Sequence, residues 1–347
     1  MSAPQLFAGE IRGVILAAGR GTRLGGITAT LPKPLVPVLN RPLVEWIVKD
    51  LAAIGVTQVI FNLHYLAPAI MTWTRTTPVD GVRLTAVTED QLSGPAGGLA
   101  AVLEHLSGAE YVVVVSGDAC TTVDFGAVVQ EHHRRKAAMT VVTQAVEDPR
   151  PFGQVQIDAH GWIIGMVRDT SQTLSSRIIS TGIYVVSPQA LQVLSDLRGT
   201  VQDLDFDRHF VPELLRRGLL VAACETSEYW SDIGVPRALL LASQHLLDTD
   251  RLSLVARPCQ DTINAAAAEV WCQGNHPTVE GTITGRVLLG EDVRVSAGSR
   301  IEGPTVLGAN TTLARGSVVR RSITMPNTQL PAGIFEETVL FGRHGRH

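Results

Sequence analysis

The chain has 347 residues, 45% of them hydrophobic and 18% charged, with a formal net charge of −4. That composition builds a core and is long enough for two domains, which excludes disorder, and the lack of a basic excess excludes a nucleic-acid-binding surface. No run approaches the roughly 18 apolar residues of a membrane span, and residues 1–11 lack the apolar core of a signal peptide.

In chain order, short β-branched runs at Val14–Leu16, Val56–Asn62, Val82–Val87, Tyr111–Ser116, Met139–Gln144 and Ile183–Val186 predict strands. Between them, Pro42–Ile54, Gly97–Leu106, Phe125–Lys136, Pro188–Ser195 and Phe206–Arg217 predict helices. This alternation is that of a doubly wound, Rossmann-like α/β sheet, expected over residues 1–247. Pro42 suits a first helical position, and Asp124 an N-cap. Asp205 and Asp207 read as caps of the helix that follows them.

The tail has a different period. Steps of six from Ile283 reach Leu289, Val295, Ile301, Leu307, Leu313, Val319 and Met325, with small or β-branched residues at most positions four further on. Such hexads predict a left-handed parallel β-helix over residues 283–347, its aliphatic side chains stacked inward. Residues 248–282 are then a linker, in which Ala265–Ala268 predicts a short helix. The cysteines Cys120, Cys224, Cys259 and Cys272 show neither CxxC nor zinc-ligand spacing, so buried or free thiols in a reducing, cytoplasmic setting are expected.

Leu16-Ala-Ala-Gly-Arg-Gly-Thr-Arg-Leu24 is the segment richest in chemistry. A strand opening into a glycine-rich loop turns backbone N–H groups toward an anion. Neither the dinucleotide fingerprint nor the P-loop fits, because Leu24 stands where one needs glycine and no Gly-Lys-Ser/Thr ends the loop. Pro32-Lys33-Pro34 follows, so Arg23 and Lys33 bring two cations to the loop. The two halves at this spacing resemble the signature of the sugar-1-phosphate nucleotidylyltransferases, the NDP-sugar pyrophosphorylases, including GDP-mannose pyrophosphorylase-like members.

The resemblance implies the following roles. Leu16, Ala17, Ala18, Gly19, Gly21 and Thr22 would form the nucleotide loop. Arg23 would hold the β- and γ-phosphate oxygens and Lys33 the α-phosphate, the two catalytic cations. Asp118, closing the strand Tyr111–Ser116, and Asp232, in Trp230-Ser-Asp-Ile-Gly234, would bind Mg²⁺, with Asp118 also beside the nucleotide. The segment Glu89–Leu99 resembles the family's base-contacting Leu-Gly-Thr-Ala-Gly, which assigns Gly94, Ala96 and Gly97 to the nucleotide. Its Ala-Gly form resembles guanylyl and uridylyl transferases, and the Glu89 carboxylate is placed to accept from guanine N1–H and N2–H. GTP is therefore the favoured nucleotide.

The acceptor side departs from the family. Where the family carries Phe-x-Glu-Lys-Pro, this chain has Val167-Arg168-Asp169-Thr170, so the two charges are exchanged. Gly153, Arg168, Asp169, Thr181 and Gly182 form the expected acceptor site. Either Arg168 binds the acceptor phosphate by another approach, or Arg150 or Arg177 does, because a phosphate facing Asp169 alone is repelled. An unusual acceptor, a deoxy sugar or a cyclitol 1-phosphate, is one consequence; a shifted loop with an ordinary sugar is the other. The expected protein is a Mg²⁺-dependent, oligomeric nucleotidylyltransferase, the alternative being a catalytically weak regulatory homologue that binds nucleotide-sugars. An acyltransferase role for the β-helix lacks support, since no histidine lies between Ile283 and Leu330.

Overall fold

A computed structural model describes residues 9–168, 176–259, 268–274 and 277–343, with the backbone alone at 345–346. The chain divides into two compact units. One comprises residues 1–20, 32–34 and 44–230; the other comprises 21–31, 35–43 and 231–347.

The first unit is built on a mixed sheet, nine-stranded among the described residues. Its order runs Ile163–Val167, Gln154–Ile157, Ile178–Val186, Tyr111–Ser116, Ile11–Ala17, Gln58–Leu63, Arg83–Thr88, with Met139–Ala145 beside Ile178–Val186 and Val221–Glu225 beside Met139–Ala145. Ile11–Ala17 pairs in parallel with Gln58–Leu63 on one side and with Tyr111–Ser116 on the other. The winding therefore reverses at this strand, and the crevice beyond its carboxyl end is where open α/β sheets receive ligands. Val112, Val113, Val114 and Val115 are all buried, as a strand covered on both faces requires. Ile178–Val186 runs antiparallel to Tyr111–Ser116 and makes the sheet mixed.

Among the helices, Phe125–Arg135 starts as expected, Asp124 Oδ1 accepting from Gly126 N at 2.8 Å and Ala127 N at 3.1 Å. Three expectations need correction. Pro42 precedes its helix, which begins at Leu43, because Pro42 pairs with Pro37 and the Leu43 amide donates to Val36 O. The segment Gly97–Leu106 is a helix at Pro95–Ala101 followed by a 3-10 turn at Leu103–Leu106. Phe206–Arg217 opens with a wide π turn, Phe206–Phe210, before the α-helix Val211–Arg216. Pro212 has no N–H to give to the preceding turn, and the Phe210 amide instead reaches Asp205 O at 3.0 Å. Helices at Ala67–Thr76 and Pro236–Leu247 went unpredicted, although Pro68 and Pro236 stand in their first turns.

The second unit is dominated by short parallel strands stacked in coils. Ile283 pairs with Ile301, Ile301 with Val319, Leu289 with Leu307 and Val295 with Leu313, each step spanning three hexads. All eight predicted hexad aliphatics are buried. The register then shortens, with Val306 beside Ile323 and Val319 beside Phe335, so Met325 is buried but no longer continues the Leu307 column. The parallel ladder already includes Ala268–Cys272, which pairs with Ala268↔Gly285 through Cys272↔Leu289. Ala268 thus opens a strand rather than ending a helix, while 265–267 lie outside the described residues.

Arg257–Pro258 pairs antiparallel with this strand and brings Cys259 to Cys272, Cα atoms 5.7 Å apart, in a disulfide. This corrects the expectation of buried or free thiols at Cys259 and Cys272; Cys120 and Cys224 form no disulfide. Residues 21–31 and 35–43 are anchored on the coils of the same unit. Asn40 Nδ2 donates to Leu307 O at 3.0 Å, Gln273 Nε2 to Leu39 O at 2.9 Å, and a Cβ on Gly26 would lie 2.9 Å from the Phe341 ring.

Candidate active site

Beyond Leu16 and Ala17 the first strand ends, and Gly19, Thr22 and Arg23 are exposed. Gly21 adopts φ 61°, a left-handed value that favours glycine, and a 3-10 helix, Thr22–Ala29, follows. The turn is pinned locally: Leu24 N donates to Gly21 O at 3.1 Å, Thr28 Oγ1 donates to the same carbonyl at 2.9 Å, and Leu24 is buried. Ala18 O accepts from Tyr65 N at 3.3 Å. Arg23 stands out from this turn with 65% of its side chain exposed, its Nη2 3.6 Å from Asp232 Oδ2.

Asp232 is held by its neighbour Ile233, which is fully buried. Gly234 completes the motif for a steric reason: a Cβ there would sit 3.0 Å from Arg23 Nη2 and 3.1 Å from Asp232 Oδ1. Trp-x-Asp-Ile-Gly is thus a carboxylate, an anchor and a clearance for the arginine.

In the other unit, Lys33 is 6% exposed between two buried prolines, and its Nζ lies 2.5 Å from Asp118 Oδ2. Ser116 Oγ donates to Asp118 Oδ1 at 2.5 Å. Gly117 permits this arrangement, because a Cβ would meet Leu16 O at 2.8 Å and Pro34 Cγ at 3.2 Å. Burial pushes the Asp118 carboxyl up, but the Lys33 ammonium and the hydrogen bonds from Lys33 and Ser116 prevail and hold it below the ordinary carboxylate range. Asp118 is therefore an anion with 31% of its side chain accessible. Ser116 was not foreseen, although a hydroxyl two residues before a strand-end aspartate is a recognisable signal.

Glu89 follows the strand Arg83–Thr88, and its carboxylate is oriented by two donors: Asn62 Nδ2, 2.6 Å from Oε1, and Ser93 Oγ on Oε2. Gly94 has φ 84°, and any Cβ there would lie 2.5 Å from Leu204 O. Ala96 N and Gly97 N both donate to that carbonyl at 3.0 Å. Glu89, Leu92, Ser93, Gly97, Arg198 and Val201 are among the residues lining a cavity of about 460 Å³.

On the acceptor side, Arg168 directly follows the strand Ile163–Val167; Asp169 lies outside the described residues. Arg168 Nη1 is 3.6 Å from Asp205 Oδ2 and its Nε 3.6 Å from Asp207 Oδ2. Asp205 caps its turn as expected, Oδ1 accepting from Asp207 N at 2.8 Å. The cap reading accounts for one oxygen of Asp205 and overlooks Asp207 as a charge. Burial and the neighbouring Asp205 push the Asp207 carboxyl up to about 6, against Arg168 and Arg208.

Gly153 packs on the Asp207 carboxylate, where a Cβ would fall within 2.0 Å of Oδ2. Gly182 has φ 75°, and a Cβ there would come 3.0 Å from Ser116 Cβ. The Thr181 hydroxyl donates to Val142 O and is buried. Of the alternative phosphate partners, Arg150 pairs with Asp148 at 2.7 Å, and Arg177 is exposed.

Among the described residues no group of three or more His, Cys, Asp or Glu side chains could hold a metal by itself, and no helix is long and apolar enough to cross a membrane. Mg²⁺ is commonly held through one or two carboxylates plus substrate phosphates, and Asp118, ionised and partly accessible, has the donor chemistry for it.

The model of the Nucleotidyl transferase family matches residues 12–249. The chain is 29% identical to a UTP–glucose-1-phosphate uridylyltransferase of Synechocystis over 96% of its length and 88% of that protein's. It is 23% identical to a mannose-1-phosphate guanylyltransferase of Mycobacterium tuberculosis over 93% and 82% of the two chains. A crystal structure of a Bacillus anthracis protein in complex with sucrose matches at TM-score 0.63 and 25% identity, covering 69% of this chain and 96% of that one.

Proposed function

The chain belongs to the nucleotidyl transferase family, and from that footing we propose that it transfers a nucleotidyl group from a nucleoside triphosphate to a sugar or sugar-like 1-phosphate. A phosphate oxygen of the acceptor attacks the α-phosphorus, the bond from the α-phosphorus to the bridging oxygen breaks, and pyrophosphate leaves, so no protein nucleophile is required. The observation that carries this reading is the Lys33–Asp118 pair at a strand end beside the glycine loop. A buried cation beside an ionised carboxylate is the chemistry that binding a triphosphate and its metal calls for, which supports this reading.

In this reading Lys33 neutralises the α-phosphate, and the exposed Arg23 holds the β- and γ-oxygens that depart as pyrophosphate. Asp118 and Asp232 are the carboxylates assigned to Mg²⁺, which when bound supplies charge neutralisation on the phosphates. GTP is the favoured nucleotide, because Glu89, oriented by Asn62 and Ser93, keeps a free lone pair on each oxygen for a guanine edge. Arg168 is the acceptor-phosphate contact, and the exchanged charges at Arg168 and Asp169 favour a deoxy sugar or cyclitol acceptor. A cytoplasmic, oligomeric enzyme is part of the same proposal.

Pyrophosphate release across a matrix of nucleoside triphosphates and sugar or cyclitol 1-phosphates tests it. The expected result is Mg²⁺-dependent release with GTP leading. Release from no pair overturns the activity, and better turnover of glucose or mannose 1-phosphate than of any cyclitol or deoxy analogue overturns the unusual acceptor.

A further inference from the structure

We propose that Asp205 and Asp207 are positioning residues that aim the guanidinium of Arg168 at the acceptor phosphate, an inference that rests on Arg168 being the acceptor contact.

The geometry is one-sided. Both carboxylates are only 4% exposed, whereas 48% of the Arg168 side chain is open, so the arginine is gripped from the interior and free on its outer face. Neither carboxylate can swing away. Asp205 spends Oδ1 on the Asp207 amide, leaving Oδ2 to face Arg168, and Asp207 is wedged against the Gly153 backbone.

Stability does not explain the arrangement. Two carboxylates taken out of water against one half-exposed arginine, at distances too long for direct hydrogen bonds, lose more solvation than they regain, and an apolar pair would pack there at lower cost. Preorganising a cation before substrate arrives is the kind of function that offsets such a loss. The groups facing the pair are Arg168 just after the strand Ile163–Val167, the Tyr184 hydroxyl from Ile178–Val186, and Arg208 and His209 from its own turn. Arg208 is divided between Asp203 at 2.7 Å and Asp205 at 3.8 Å, which leaves Asp207 to Arg168. Asp207, pushed up to about 6, then couples the grip to pH.

Steady-state kinetics of the full chain, with the 1-phosphate that turns over fastest, test the proposal. Asp207→Asn and Asp205→Asn should each raise the acceptor KM about tenfold, the size of a weakened charge-assisted contact, and leave the nucleotide KM unchanged. Asp207→Asn should do so without lowering Tm. The acceptor's own phosphate also titrates near pH 6, so the diagnostic is a difference: log KM should fall more steeply by one proton in wild type than in Asp207→Asn. Unchanged acceptor KM in both Asn variants, with a raised KM in Arg168→Ala, overturns the positioning role alone. Unchanged KM in Arg168→Ala overturns Arg168 as the contact and the proposal with it. A readout free of turnover is the ¹⁵N–¹H resonance of Arg168 Nε, expected to move through about pH 6 in wild type and stay flat in Asp207→Asn. A wild-type resonance that does not move there also overturns the proposal.

Discussion

Lys33 reaches Asp118 across 85 positions of sequence, Nζ to Oδ2 at 2.5 Å, with 8% of the lysine side chain exposed against 31% of the aspartate's. The lysine is the buried partner and the carboxylate the one that faces outward. A cation in this position lowers the cost of keeping an ionised carboxylate at a strand end while leaving one edge of it for a ligand.

Removing the cation should therefore be felt in stability as well as chemistry. Breaking a fully buried pair costs about 3–5 kcal/mol, and the partial exposure of Asp118 brings Lys33→Met to about 2 kcal/mol. Asp118 is held below its ordinary value, so its stabilisation is present above about pH 4 and lost as pH falls through the lower folded-state value. Urea unfolding at neutral pH and at about pH 3 checks this: the gap between wild type and Lys33→Met should shrink in acid.

Arg23→Ala should leave stability within about 0.5 kcal/mol, since the side chain is mostly exposed, while cutting kcat/KM for the nucleotide by about 10²-fold. Lys33→Arg should cost far less activity, because that site mainly needs charge. Near-normal kinetics in Arg23→Ala would remove the glycine loop as the triphosphate site.

Gly234→Ala places a methyl 3.0 Å from Arg23 Nη2 and 3.1 Å from Asp232 Oδ1. The arginine is flexible and solvent-facing, so it gives way, and unfolding should be nearly unaffected. Activity should fall about tenfold or more, because a displaced charge loses its alignment with the transferring phosphates. Equal kcat/KM in the two proteins would show that the Arg23–Asp232 spacing does not matter.

Asp207 has the opposite pH sign to Asp118. Its carboxyl is pushed up to about 6, so the folded state binds the extra proton between about pH 4 and 6 and stability falls as pH rises across that window. A rise to about 6 corresponds to about 2–3 kcal/mol. Asp207→Asn should flatten this slope and match or exceed wild-type stability at about pH 8, where the wild-type carboxyl is fully charged. Thermal melts across the window check it.

What the sequence disclosed follows from chain distance. The loop Leu16–Leu24, the Asp124 cap and the hexads from Ile283 are local patterns, each readable because backbone geometry repeats over a few residues. The pairs that complete the candidate site and the coils are not local. Asn62 orients Glu89 from another strand, Asp207 meets Arg168 from a turn about forty residues on, and Cys259 finds Cys272 only once two strands align. A cap uses only one oxygen of Asp205, and the partner of the other, Arg168, lies far off in the chain. Gly153 and Gly234 look like ordinary turn glycines until the side chains they must clear are seen.

The anchoring of residues 21–31 and 35–43 on the coils has a consequence for the order in which the chain acquires its structure. Arg23 is synthesised about 300 residues before Phe341, whose ring packs against Gly26. At ribosomal speeds of about 5–20 residues per second, that delay is tens of seconds. A nascent chain can therefore complete its central sheet while the ring that seats the 3-10 helix carrying Arg23 is still unmade.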